Sequence, residues 1–235
     1  MRPPSCRTVT THWARADRVA QDRPDVTVDA DPIFVHSPAA DVGGLDVAGD
    51  RGVPAVVDVS FTVNRGEIVG VAGVAGNGQR ELQEALAGLR RARHGTVTID
   101  GVECSDRSSR ARTAAGLAYV PEDRLGTALA PGLPLDHNVV LKSYRHHPHS
   151  RFGFLRRRRI EQTTAELTET FDVRGARAGL QVSLMSGGNL QKAILGREIT
   201  AEHEVLLAAA PPRGLALAAA GAVRGHLLAA RAAGR

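Results

Sequence analysis

Three closely spaced glycines, Gly73, Gly76 and Gly78, stand where an apolar run gives way to a helical one. The run before them, Glu67-Ile68-Val69-Gly70-Val71-Ala72-Gly73, reads as a strand apolar on both faces, as in a parallel sheet. The run after them, Arg80 to Leu89, carries Leu82, Leu86 and Leu89 at helical spacing. A strand that passes through a glycine loop into a helix turns successive backbone N–H groups toward one point. The helix N-terminus adds partial positive charge there, so the loop forms an anion cradle. Glycine at these positions permits positive φ and close backbone approach. A tight strand-to-helix turn without a ligand uses the same residues, so the loop alone leaves both readings open.

A full phosphate-binding loop follows its last glycine with Lys, which reaches the β/γ-phosphates, and Ser or Thr, which ligates Mg²⁺. Here those positions are Gln79 and Arg80. Glutamine donates a neutral hydrogen bond, worth about 1 kcal/mol against roughly 1.5–3 for a charge-assisted one. Phosphate affinity is therefore expected to be weakened but kept. Arginine has no lone pair for a metal. A second anion-directed string, Met185-Ser186-Gly187-Gly188-Asn189-Leu190-Gln191-Lys192, lies about a hundred residues downstream. Ser186 reads as the N-cap of a helix whose first N–H groups are bared by glycine.

Between and around these strings the texture alternates. Residues 1 to about 50 show no sustained period and read as a poorly structured tail or linker, leaving 51–235 as the ordered domain. Pro54 to Val63 alternates as a strand, Asn64-Arg65-Gly66 turns, and Thr96 to Gly101 reads as a hairpin arm ending in an Asp-Gly turn. Gly116 to Pro121 is a further short strand. From about 123 to 184 the pattern is helical, including Arg159 to Phe171, with a His- and Arg-rich loop inside it. A helix to Ile199, a strand at Glu204 to Ala208 and a helix from about Leu217 complete an α/β chain with a mainly parallel sheet.

Composition excludes several classes. Two cysteines, Cys6 and Cys104, offer neither a disulfide framework nor metal-ligand spacing. No run approaches the roughly 20 apolar residues of a membrane span, so membrane association is expected only through a partner. A net charge of +5 permits an acidic partner, but no aromatics interleave with Arg156 to Arg159 to stack bases, and nucleic acid is not expected. Arg145-His146-His147-Pro148-His149 lacks a carboxylate or Cys companion for a metal.

The ordered set of strings resembles the second ATP-binding half of the double-cassette ATPases of bacterial simple-sugar and nucleoside ABC importers. Matching segments are Arg65 to Gly73, Gly76 to Gln79, Tyr119-Val120-Pro121-Glu122-Asp123-Arg124-Leu125-Gly126, Ser186 to Asn189, and Pro211-Pro212-Arg213-Gly214-Leu215. The resemblance implies a P-loop NTPase fold, an ABC cassette with a small antiparallel β part and an inserted helical subdomain at about 123–184. It implies ATP held by Gly73, Gly76, Asn77, Gly78, Gln79 and Arg80. It also implies a signature, Ser186, Gly187, Gly188, Asn189 and Gln191, offered to a partner's site, and Glu122 at the Q-loop position. Second halves of this family commonly carry Gln where the loop lysine stands.

Departures from the family pattern are equally informative. Aligned on Pro211, the positions that hold the Mg²⁺ aspartate and the water-activating glutamate are Ala209 and Ala210, and the D-loop aspartate position is Ala216. No catalytic residue is assigned, and Mg²⁺ is expected only at a site completed by a partner cassette. The implied partners are that cassette, membrane permease subunits and, indirectly, a solute-binding protein, with the chain peripheral on the inner face of the membrane. The chain stops before the strand and switch loop the family places next, so it reads as C-terminally truncated. Two rival readings stay open: a cassette remnant without transport activity, and a dinucleotide enzyme using Asp100 on a ribose.

Overall fold

The computed structural model describes residues 38–71, 73, 76–176 and 179–209, together with Ala14–Arg15 and Gly225. These divide at Gly116/Leu117 into two compact units.

The first unit is built on a four-stranded antiparallel sheet in the order β3-β2-β5-β6. Its strands are β2 (Pro38–Ala48), β3 (Pro54–Asn64), β5 (His94–Ile99) and β6 (Val102–Glu103). Strand β2 lies in the interior of the sheet and buries Ala39, Val42, Leu45 and Val47. The expectation of an unstructured tail to residue 50 therefore fails for residues 38–48. Its cause is a broken alternation: register shifts between Pro38 and Ala40 and between Val42 and Leu45 set the buried positions at 39, 42, 45 and 47, so no period of two runs through the strand. The rest of that segment, except Ala14–Arg15, lies outside the described residues. Asp100 and Gly101, at φ 47° and 72°, close the β5–β6 hairpin as its Asp-Gly pair foretells.

Helix α1 (Gln79–Leu86) buries Leu82 and Ala85. Its C-terminal carbonyls are capped by Arg112, a buried residue of helix α2 (Ser109–Ala114). The Arg112 Nη1 donates to the Ala85 and Leu86 oxygens at 2.7 and 2.9 Å, and Nη2 to the Ser105 oxygen at 2.8 Å. A cation on the negative end of a helix is favourable, and here it fixes the far end of the helix that the glycine loop opens. Strand β4 (Val69–Gly70) is only two residues long and pairs antiparallel with β1 (Ala14–Arg15). Ile68 and Val71 are 39% and 41% exposed, so the strand buried on both faces that residues 67–73 predict is not found there. Such burial needs paired neighbours, and the one partner among the described residues is a two-residue antiparallel strand.

The second unit contains the parallel pair β7 (Leu117–Val120) and β10 (Val205–Ala208), with helices α3 (Leu135–Val139), α4 (Arg157–Thr170) and α5 (Gly187–Thr200). Its core joins Val120, Leu135, Val139, Ile160, Leu167, Phe171, Val182, Leu190 and Ile194. Helices α4 and α5 approach closely at Gly196, where an added Cβ would stand 2.9 Å from Leu167 Cγ and Phe171 Cδ2. The helical texture at 123–184 resolves into the five-residue turn Arg124–Ala128, α3, α4 and the 3₁₀ turn Val182–Leu184. The loop within it also folds a hairpin, β8 (Ser150–Arg151) with β9 (Phe154–Leu155), that the sequence reading did not anticipate. The helix expected from Leu217 lies outside the described residues.

Candidate nucleotide site

The glycine loop delivers the chain into α1 by way of Gly76 and Gly78, both at φ 90°. Gly78 is the N-cap of α1 and offers no side chain to the first turn, so that turn has no side-chain cap. A Cβ at Gly78 would collide with the Ala55 carbonyl on β3, and only glycine fits. A Cβ at Gly76 would meet nothing within 4 Å, so this residue is required by its backbone angle alone. Asn77 and Gly76 are exposed. Gln79 folds back so that its amide nitrogen stands where a Cβ on Gly73 would lie. A neutral donor thus stands over the start of the loop.

Arg80 does not add its charge to this loop. Its Nε donates to Glu84 Oε1 at 2.7 Å, one helical turn on, and its Nη1 lies 3.6 Å from Asp50 Oδ2. Arg90 links the same two carboxylates at 2.6 Å each and donates to the Ala48 oxygen at 3.0 Å. The bond from Arg90, with help from the charges of Arg90 and Arg80, holds the Asp50 carboxyl below its usual range. This network ties the first turn of α1 to the chain leaving β2. The loop therefore fits a phosphate through backbone N–H groups and the Gln79 amide. It does not fit Mg²⁺, since Arg80 occupies the position of the hydroxyl ligand.

In the second unit Ser186 caps α5 by accepting from the Asn189 N–H at 3.4 Å. Ser186 and Gly187 are exposed. Asn189 is committed to structure: its Oδ1 accepts from the Arg174 N–H at 3.0 Å and its Nδ2 donates to the Arg174 oxygen at 2.8 Å. Lys192 adds bonds to the Asp172 backbone oxygen and carboxylate at 2.6 and 2.8 Å. That contact, followed by Arg174, holds the Asp172 carboxyl below its ordinary value. Ser186 and Gly187 thus stay exposed at the helix start, while Asn189 and Lys192 clamp it to the turn before it.

Arg124 is the residue to which sequence reasoning gave no role. Its Nε donates to Gln191 Oε1 at 2.8 Å, and its Nη1 lies 2.8 Å from where a Cβ on Gly187 would be. Gln191 is 2% exposed and fixed by the helix. A guanidinium is thereby held against the N-terminus of α5. The signal that could have found it is the string Glu122-Asp123-Arg124 itself, since Asp123 accepts from the Gly126 N–H at 2.9 Å and turns the chain there. Glu122 is exposed.

At the end of β10, Ala209 is buried and donates its N–H to the Val120 oxygen at 2.8 Å. A methyl group stands where a metal-holding carboxylate is expected. Ala210, Pro211 to Leu215 and Ala216 lie outside the described residues. Asp100, the ribose ligand of the dinucleotide reading, closes a hairpin turn and pairs with Arg65 at 2.5 Å. That reading loses its acidic residue. Both ring nitrogens of His149 are taken by hydroxyls, Ser143 Oγ and Thr163 Oγ1, at 3.1 Å each.

Residues 56–211 match the family model of the ABC transporter. The chain belongs to that family. Its relatives include the guanosine import ATP-binding protein NupO of Bacillus subtilis, 39% identical over 83% of this chain and 38% of NupO. The glucose import ATP-binding protein TsgD13 of Haloferax volcanii is 38% identical over 86% of this chain and 37% of its own length. The nucleoside import ATP-binding protein NupA of Lactococcus lactis is 34% identical over 93% and 45%. This ABC chain thus spans less than half the length of these curated relatives. The dimeric bacterial ABC transporter cassette MJ0796 superposes with a TM-score of 0.70 at 19% identity, over 83% of this chain and 84% of that one. The ADP conformation of the cassette MJ1267 gives 0.64 at 16%, over 84% and 78%. These likenesses show the P-loop NTPase fold of an ABC cassette.

Proposed function

We propose that the chain is the second, degenerate cassette of an importer for simple sugars or nucleosides, and that it clamps ATP without hydrolysing it alone. One observation carries the reading. Two backbone anion cradles are kept, Gly76 to Gly78 opening α1 and Ser186 to Gly188 opening α5, while uncharged or metal-incompetent side chains stand at the catalytic positions. Gln79 replaces the phosphate lysine, Arg80 the Mg²⁺ hydroxyl, and Ala209 the metal carboxylate. The importer names of NupO, TsgD13 and NupA supply the solute classes. Ser186, Gly187, Gly188 and Arg124 serve a partner cassette's nucleotide, and Mg²⁺ belongs to that partner's site. Helices of the 123–184 region face permease subunits, which a solute-binding protein loads.

Nucleotide binding and phosphate release together test this. The chain alone is expected to bind a fluorescent ATP analogue weakly and to release no phosphate. Mixed with a competent cassette of this family, it is expected to raise that cassette's turnover. Turnover by the chain alone, or binding unaffected by Gly78→Val, contradicts the reading.

A further inference from the structure

The hairpin β8–β9 carries Phe152 and Phe154, 85% and 79% exposed, the two most exposed large apolar residues among those described. The whole chain has only five phenylalanines. Phe152 and Gly153, at φ 51° and 83°, form the two-residue connection. Such turns need positive φ at both positions, which glycine or asparagine supplies readily and a bulky aromatic rarely adopts. The turn itself therefore does not call for phenylalanine.

Arginines flank this hairpin along the chain. Arg151, Arg156, Arg157, Arg158 and Arg159 are all exposed, and none forms an ion pair with a described residue. The Arg151 guanidinium lies 5.1 Å from the Phe152 ring centroid. Arg156 is the N-cap of α4, and its first turn holds arginines and no acidic residue. Positive side chains at the positive end of a helix dipole are disfavoured. Local rules are thus broken twice in one short stretch, for the turn and for the helix start, and both departures set exposed phenylalanines beside a run of exposed arginines. Ile160, buried in the core, anchors the helix beneath them.

We propose that the β8–β9 hairpin and the start of α4 dock directly on the surface of an anionic phospholipid bilayer. Arginines match the lipid phosphates, and the two phenylalanines and the half-exposed Leu155 enter the apolar boundary below. Each basic residue near an anionic leaflet raises affinity about fivefold, within a screening length of about 8 Å at physiological salt. An acidic protein segment would complement the arginines alone. Exposed aromatics beside several arginines without an ion pair among the described residues match a lipid interface, where the rings enter the apolar boundary and the guanidinium groups meet the phosphates. The membrane contact stands whether or not the chain binds nucleotide, and it gives the hairpin and the start of α4 to lipid, beside the permease contact proposed for the rest of the 123–184 region.

Sedimentation of the full chain with phosphatidylglycerol-containing vesicles and with pure phosphatidylcholine vesicles tests it. Binding is expected to favour the anionic vesicles and to fall with added salt. Phe152→Asn with Phe154→Thr keeps the turn and strand preferences and is expected to weaken binding about tenfold. Arg157→Glu with Arg158→Glu is expected to weaken it at least as much. Arg107→Glu with Arg110→Glu, an equal charge change on other exposed residues, is expected to leave most of the binding. Circular dichroism confirms that each variant is folded. Equal binding to both vesicle types, hairpin variants that bind like the parent, or a control pair that loses as much overturns the proposal. Variants that bind vesicles normally but fail to join permease subunits would assign the hairpin to a protein partner instead.

Discussion

The Arg124 guanidinium and the buried Gln191 amide are joined by a 2.8 Å hydrogen bond, which holds a cation against Gly187 at the start of α5. Under the proposed function this guanidinium contacts the phosphate of a nucleotide carried by a second cassette. Arg124→Ala is expected to lower ATP affinity of a mixed cassette pair about tenfold, the loss of one charge-assisted bond. Gln191→Leu is expected to give a smaller loss, since it frees the guanidinium without removing it. Titration of the mixed pair with a fluorescent ATP analogue reads both, and unchanged affinity in Arg124→Ala removes the role.

Gln79 offers a complementary gain. Its amide stands over Gly73 and supplies a neutral donor where a lysine is usual. Gln79→Lys is expected to tighten ATP binding by the chain alone about fivefold to tenfold, the difference between neutral and charge-assisted bonds. Phosphate release is expected to stay at background, because Ala209 and Arg80 still offer no metal ligand. Calorimetric titration checks the first expectation and a phosphate assay the second.

These residues show where sequence was readable and where it was not. The Asp100-Gly101 turn, helix α5 with its Ser186 cap and the strand at 205–208 follow from turn chemistry, capping and periodicity, all local causes. Strand β2 was hidden because repeated register shifts break its alternation, and the partners that bury it lie far along the chain. The same limit applies at the site. The glycine turn into α1 is a local backbone property and was legible. The i,i+4 pair Arg80–Glu84 is local too, but the approach of Arg80 to Asp50, of Asn189 to Arg174, and of Arg124 to Gln191 depends on tertiary structure. No spacing rule reaches across those separations.

His149 gives the second unit a pH-dependent stability. The ring is 7% exposed, with Ser143 and Thr163 hydroxyls on its two nitrogens. Burial pushes its pKa below the ordinary 6.5; the bond with Ser143 opposes this and nearby His147 adds to it. On acidification the unfolded chain takes up the proton first. The contribution is thus full above pH 6.5 and is lost as pH falls from there through the folded value. The slope in that window is at most about 1.4 kcal/mol per pH unit. Urea unfolding of the parent and of His149→Gln across this range is expected to show the steeper loss only in the parent. Parallel profiles would exclude His149 as the cause.

Glu198 is the charged centre of the second unit, 1% exposed. It accepts from Lys142 Nζ at 2.6 Å, from Arg197 at 2.9 Å and from the Tyr119 N–H on β7 at 3.2 Å. Burial lowers the Lys142 pKa, and the attraction of Glu198 works against that fall. One carboxylate thus joins α5, the chain after α3 and the strand that leads to Glu122. Well-packed apolar residues often match a buried ion pair in stability, whereas removing one partner leaves the other charge uncompensated at about 3–5 kcal/mol. Glu198→Gln is therefore expected to destabilise the unit by about 3 kcal/mol in urea unfolding. Adding Lys142→Met is expected to restore part of that loss, because the stranded ammonium is gone while Arg197 still donates to the Asn138 oxygen at 3.2 Å. Full additivity of the two changes would show that Lys142 and Glu198 do not act as a pair.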